Sequence, residues 1–82
     1  MEKFIINNNV RMMRFHNGEM TQKDLADAVG VSRQTIVAIE KGKYSPTLEL
    51  CLKLSLVFDI PIDKIFYIES IDGVKKEKEN ES

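Results

Sequence analysis

Residues 21–43, TQKDLADAVGVSRQTIVAIEKGK, read as two short helices joined by a tight turn. Thr21 followed by Asp24 fits a capping box, in which a hydroxyl and a carboxylate satisfy free N–H groups at a helix start. Leu25, Ala26 and Val29 then fall at helical spacing on one face, and Gly30 stops the helix where the chain needs a positive φ. Ser32 suits the N-cap of a second helix, Ile36 and Ile39 mark its buried face, and Gly42 suits its C-cap.

The spacing within this stretch carries the argument further. Counted from Gln22, a small residue (Ala26) stands fifth, glycine (Gly30) ninth, and aliphatics (Ile36 and Ile39) fifteenth and eighteenth. Two helices that cross steeply need a small side chain at the crossing, a permissive residue in the turn and aliphatics sealing one helix onto the other. The opposite face of the second helix, with Arg33, Gln34, Val37, Ala38 and Lys41, is left free to enter a groove. This is the pattern of a helix-turn-helix. The competing interpretation, an ordinary αα-hairpin inside a helical bundle, is disfavoured by the turn chemistry.

Around this unit the chain has 82 residues, enough for one small domain. Its apolar and charged fractions are those of a soluble globular protein, and no apolar run reaches the roughly 18 residues that argue for a membrane span. The start, MEKFIINNNV, has no signal-peptide core or cleavage site, so a cytoplasmic protein is expected. A single cysteine, Cys51, excludes an internal disulfide and any multi-cysteine zinc site.

The net charge of −1 argues weakly against a nucleic-acid partner, but its distribution says more. Residues 11–43 hold six Lys/Arg against four Asp/Glu, whereas residues 44–82 hold five against eight. Phosphate contacts are local, so a basic face suffices on an acidic whole. Lys53 and Lys64 are read as merely solvated; Lys41 and Lys43 are not.

Taken in order, the chain predicts five helices. A first helix spans about residues 7–16, with Ile6, Val10, Met13 and Phe15 on or near its buried side. Arg11 and Arg14 share a face, His16 lies in the last turn, and Gly18 ends the helix. After the central pair, Ser45 or Thr47 is a cap candidate for a helix over about 47–58 that is apolar nearly all round. Such a helix is expected to be buried on several sides, with Cys51 in the core. Pro61 opens a short fifth helix carrying Ile62, Ile65 and Phe66, and Tyr67-Ile68-Glu69 either extends it or runs out as a strand. The segment 71–82 is charged, polar and nearly free of hydrophobes, and is read as a disordered tail beyond a domain over 1–70.

Two segments carry a family resemblance: residues 20–46, MTQKDLADAVGVSRQTIVAIEKGKYSP, and residues 47–66, TLELCLKLSLVFDIPIDKIF. Across about residues 7–68 the chain resembles the Cro/phage-repressor (XRE) type of helix-turn-helix regulator in its small single-domain form. The resemblance implies an all-α, compact five-helix, lambda-repressor-like domain whose recognition helix covers about 32–41. It implies that Gln22 bonds a DNA phosphate and braces that helix, that Ser32, Arg33 and Gln34 face base edges or nearby phosphates, and that Thr35 leans toward the backbone. Val37 and Ala38 take later groove-facing positions, and Lys41, Lys43 and Tyr44 clamp phosphate. Arg14 and Glu40 match a partly buried ion pair.

Residue chemistry agrees with these roles. Arginine can bond guanine O6 and N7 bidentately, and glutamine adenine N6 and N7, whereas Val37 and Ala38 can only touch a thymine methyl or permit close approach. The chain departs from the family where Asp59 replaces a common glycine and Leu56 a common Lys or Arg. Leu56, Ile62, Phe66 and Ile68 are candidates for a surface between two subunits; the alternative is that the Phe4-Ile5 segment or the tail covers it within one chain. A homodimer on an inverted repeat is expected, because one recognition helix reads only a few base pairs.

The expected function is therefore sequence-specific binding of double-stranded DNA by a transcriptional regulator, more in keeping with a repressor, since so short a chain has little room for an activating module. Two alternatives use the same fold: the antitoxin of a toxin–antitoxin pair, and a protein-interaction module that does not bind DNA. No enzyme, cofactor or metal is expected, because no His/Cys cluster, nucleophile–base pair or phosphate-cradling glycine loop is present.

Overall fold

The computed structural model describes residues 4–70; the predicted tail over 71–82 lies outside the described residues. Strand β1 (Phe4–Asn8) leads into helices α1 (Val10–His16), α2 (Gln22–Val29), α3 (Arg33–Glu40), α4 (Leu48–Phe58) and the single turn α5 (Ile62–Ile65), and strand β2 (Phe66–Ser70) follows. The domain is helical, with five helices as expected, and it adds a two-stranded antiparallel ribbon in which Ile6 stands opposite Ile68 and Asn8 opposite Phe66.

Three helix starts follow local capping chemistry. The Thr21 hydroxyl accepts from the Asp24 N–H at 2.9 Å while Asp24 Oδ2 accepts from the Thr21 N–H at 3.1 Å, closing the capping box. Ser32 and Thr47 accept from the N–H groups of Thr35 and Leu50. Between α2 and α3, Gly30 is left-handed at φ 78°, and it and Val31 both donate to the Ala26 carbonyl. The chain thus reverses with its freed carbonyl satisfied.

The core lies between the helices. Val10, Leu25, Ala26, Val29, Ile36, Ile39, Leu50, Leu54 and Ile65 form one buried cluster, against which Met20, Val31, Val57, Phe58, Ile60 and Phe66 are packed. Each fully buried aliphatic contributes about 1.5–3 kcal/mol relative to exposure. Ala26 is the small residue that the expected helix crossing requires.

Several expectations are corrected. Helix α1 starts at Val10, not near residue 7, because residues 4–8 pair with β2. Ile6 is accordingly a strand residue and half exposed, as is Phe15 on α1. Helix α4 is not buried on several sides: Leu50 and Leu54 are buried, but Leu48 (70 %), Leu52 (50 %) and Leu56 (81 %) stand exposed in a row four residues apart. The reason is geometric. At 3.6 residues per turn, Leu50, Leu54 and Val57 share the side that packs on α2 and α5, and the other three leucines fall on the opposite side. Cys51 lies between these sides and is only half-buried, not a core residue. The Phe4-Ile5 segment pairs with β2 and leaves Leu56 uncovered.

Candidate nucleic-acid interface

Helix α3 is fixed from below and free above. Ile36 and Ile39 are buried, whereas Arg33 and Gln34 are exposed in its first turn and Val37 and Ala38 are half exposed further along. The helix start is tightened by a 3.0 Å contact between the Ser32 and Thr35 hydroxyls. Side chains at that end are therefore presented on a defined turn.

After Glu40 the chain turns through Gly42, which is left-handed at φ 74°. Gly42 donates to the Ile39 carbonyl and Lys43 to the Ala38 carbonyl at 2.9 Å, which folds the loop back along the helix. As a result Lys43 and Tyr44 join Ser32, Gln34, Thr35 and Ala38 around one shallow depression of about 370 Å³. Six of the residues assigned in the sequence are thereby brought together along one flank of α3.

The other flank has a different construction. Arg14, 7 % exposed, donates from Nε to Glu40 Oε2 at 2.6 Å, from Nη2 to Glu40 Oε1 at 3.1 Å, and from Nη1 to the Met20 carbonyl at 2.9 Å. Gln22 Nε2 also donates to Glu40 Oε1, at 3.2 Å. One carboxylate at the end of α3 thus ties it to α1 and to the first turn of α2. The Gln22 amide keeps a second N–H for another acceptor. Gln22, Val37 and Lys41 line a second depression with this network. Arg33 borders neither depression; Ile62 and Phe66 are half-buried in the domain, and Leu56 and Ile68 are exposed.

Electrostatics at the start of α2 follow the capping box. The Thr21 N–H, with its hydroxyl adding to the effect, holds the Asp24 carboxyl below the ordinary carboxylate range. A hydrogen bond to Asp27 at 2.9 Å raises the Lys23 ammonium above its ordinary value. Among the described residues no group of three or more His, Cys, Asp or Glu could hold a metal ion, and no helix is long and apolar enough to cross a membrane.

One anchor of α3 was missed in the sequence. Asn8 Nδ2 donates to the Ile39 carbonyl at 2.9 Å, and its Oδ1 accepts from the Val10 N–H at 3.1 Å, so one side chain closes both the end of α3 and the start of α1. Asn9 does similar duty for α5, donating from its side chain to the Lys64 carbonyl and from its N–H to the Ile65 carbonyl. The run Asn7-Asn8-Asn9 was the available signal, since asparagine is disposed to bond nearby backbone.

Comparison with known proteins agrees with this architecture. The helix-turn-helix family profile matches residues 17–65, spanning α2 through α5. The chain is 56 % identical over 54 residues to an uncharacterised HTH-type transcriptional regulator of Methanocaldococcus jannaschii, covering 66 % of this chain and 79 % of the relative. It is 42 % identical over 62 residues to the HTH-type regulator YgzD of Bacillus subtilis, covering 76 % and 92 %. It is also 33 % identical over 75 residues to the cryptic phage CTXphi transcriptional repressor RstR of Vibrio cholerae, covering 72 % and 68 %. With a matched profile over more than half its length and a free, braced α3, the chain belongs to the Cro/phage-repressor (XRE) type of helix-turn-helix family, whose members are DNA-binding transcriptional regulators.

Proposed function

We propose that the protein is a sequence-specific repressor that binds an inverted repeat in double-stranded DNA as a homodimer, with α3 seated in the major groove. The observation that carries this reading is the exposure of Arg33 and Gln34 on the first turn of a helix whose other side is locked by Ile36 and Ile39. Arg33 bonds guanine and Gln34 adenine, Ser32 lies beside them, and Val37 and Ala38 meet thymine methyl groups or admit the base edges. Gln22, Thr35, Lys41, Lys43 and Tyr44 hold phosphate on the two sides of the groove. The repressor assignment is supported by the likeness to a phage transcriptional repressor.

The dimer is supported by the uncovered apolar surface. Leu56 at 81 % exposure and Ile68 at 67 % are large hydrophobes that the described residues leave largely uncovered. Ile62 and Phe66 are half-buried, and Phe66 packs on the core of its own domain.

Selection of the purified protein against a random double-stranded library, at moderate salt, tests the proposal. Enrichment of an inverted repeat with half-sites about 10 base pairs apart is expected. A folded protein that enriches no motif would overturn it.

A further inference from the structure

Among the described residues, Arg11 is a cation near α3 without an assigned role. Arg11 on α1 is exposed, and its guanidinium carbon lies 5.6 Å from the centre of the Phe15 ring, one helical turn on. That distance is within cation–π range, so the ring holds a side chain that would otherwise sweep through solvent. Phe15 is half exposed, and its ring also lies 5.7 Å from the guanidinium carbon of Arg14, which is held by Glu40.

Arg11 and Phe15 line the same depression as Gln22, Val37 and Lys41, a concavity of about 390 Å³ along the second flank of α3. The charges around it are Arg11, Arg14, Lys41 and Glu40. Arg14 and Glu40 neutralise each other through their 2.6 Å pair, so the uncompensated charge is that of Arg11 and Lys41. A helix with its side chains is about 10–12 Å across, and the major groove is about 12 Å wide. When α3 fills that groove, both of its flanks abut a phosphate strand. One flank carries Lys43 and Tyr44; the other carries this depression.

We propose that Arg11, steadied by the Phe15 ring, is a phosphate-binding residue for the DNA strand that runs past the α1 and α2 side of α3. The inference rests on the DNA-binding mode set out above and extends the contact surface to the first helix. Arg11 sets affinity and position on the duplex, with no part in base choice.

The test is the salt dependence of binding to a short duplex of random sequence, over about 50–200 mM salt, since each neutralised phosphate contributes a slope of about −0.9 in log affinity against log salt. Arg11→Gln should bind several-fold more weakly and lose about one phosphate from the slope, while its thermal midpoint stays near that of the wild type. Arg11→Lys, which keeps the charge, should recover the slope. If wild-type protein binds with a salt-dependent affinity and Arg11→Gln shows the same affinity and slope, Arg11 touches no phosphate and the proposal is wrong. If the folded wild-type protein binds no duplex at any salt, the DNA-binding mode fails and the proposal goes with it.

Discussion

Arg14 on α1 grips Glu40, the last residue of α3, through two parallel hydrogen bonds of 2.6 and 3.1 Å, with both side chains only 9 % exposed. Fork-to-fork pairs of this kind fix angle as well as distance. The orientation of α3 is thus set by a residue two helices away. Removing one partner leaves the other charge buried and unpaired, so Glu40→Gln should destabilise the fold by about 3 kcal/mol. Replacing both, Arg14→Met with Glu40→Leu, should cost clearly less than the two single changes added together. Urea unfolding of the wild type, Glu40→Gln, the two single apolar variants and their double variant decides this. Additive costs would show that the pair does not act as a unit.

Asn8 is the second external anchor of α3. Its side chain bonds the Val10 N–H, which the start of a helix leaves unsatisfied, and gives the Ile39 carbonyl a second donor beside Gly42. Asn8→Ala should therefore cost about 1–2 kcal/mol. Asn8→Asp should cost at least as much, because it keeps the acceptor for Val10 but sets a carboxylate against the negative end of α3. A fully stable aspartate variant would mean that the Ile39 contact contributes nothing.

These two anchors also mark how far the sequence can be read. Thr21, Ser32 and Thr47 cap the helices that their immediate neighbours announce, since capping is decided within four residues. Arg33 and Gln34 could be placed on the open side of α3 because Ile36 and Ile39 define the closed side by helical period alone. The start of α1 could not be placed this way, because residues 4–8 are held out of the helix by pairing with residues 66–70. Nor could the ribbon, since Phe66–Ser70 becomes a strand only by pairing with Phe4–Asn8 at the far end of the chain. In α4 every leucine looks alike in sequence; which of them is buried depends on where α2 and α5 lie.

The capping box makes part of the stability acid-sensitive. Asp24 is held below the ordinary carboxylate range by the Thr21 N–H, so its ionised form favours the folded state. Its contribution is complete above the unfolded carboxyl value of about 3.9 and is lost as pH falls through the lower folded value. The wild type should therefore exceed Asp24→Asn in thermal midpoint at neutral pH, with the difference shrinking below about pH 4. A gap that stays constant from neutral to acid pH would assign the effect to something other than ionisation.

Leu56 lies at the edge of an apolar row formed with Leu48 and Leu52, and it contributes almost nothing to the core of its own domain. A surface change of that kind normally alters stability by no more than about 0.5 kcal/mol. Leu56→Glu should thus leave the helical signal and unfolding midpoint nearly unchanged while converting the proposed dimer to a monomer in analytical ultracentrifugation. A variant that sediments as an unchanged dimer would remove Leu56 from the interface between subunits.

In the proposed binding mode, Arg33 and Lys43 separate recognition from attraction. Arg33 is exposed on the first turn of α3, whereas Lys43 sits beyond the helix, beside Tyr44, on the wall of the flanking depression. Once a preferred site is in hand, Arg33→Ala should weaken it by about 1–3 kcal/mol and tolerate any base at one position. Lys43→Ala should weaken preferred and unrelated sites by the same factor and reduce the salt slope by about one. Binding of each variant to the site and to its single-base changes, at two salt concentrations, distinguishes the roles. Uniform loss from both variants would mean that Arg33 meets phosphate, and base choice would then fall to Gln34 and its neighbours.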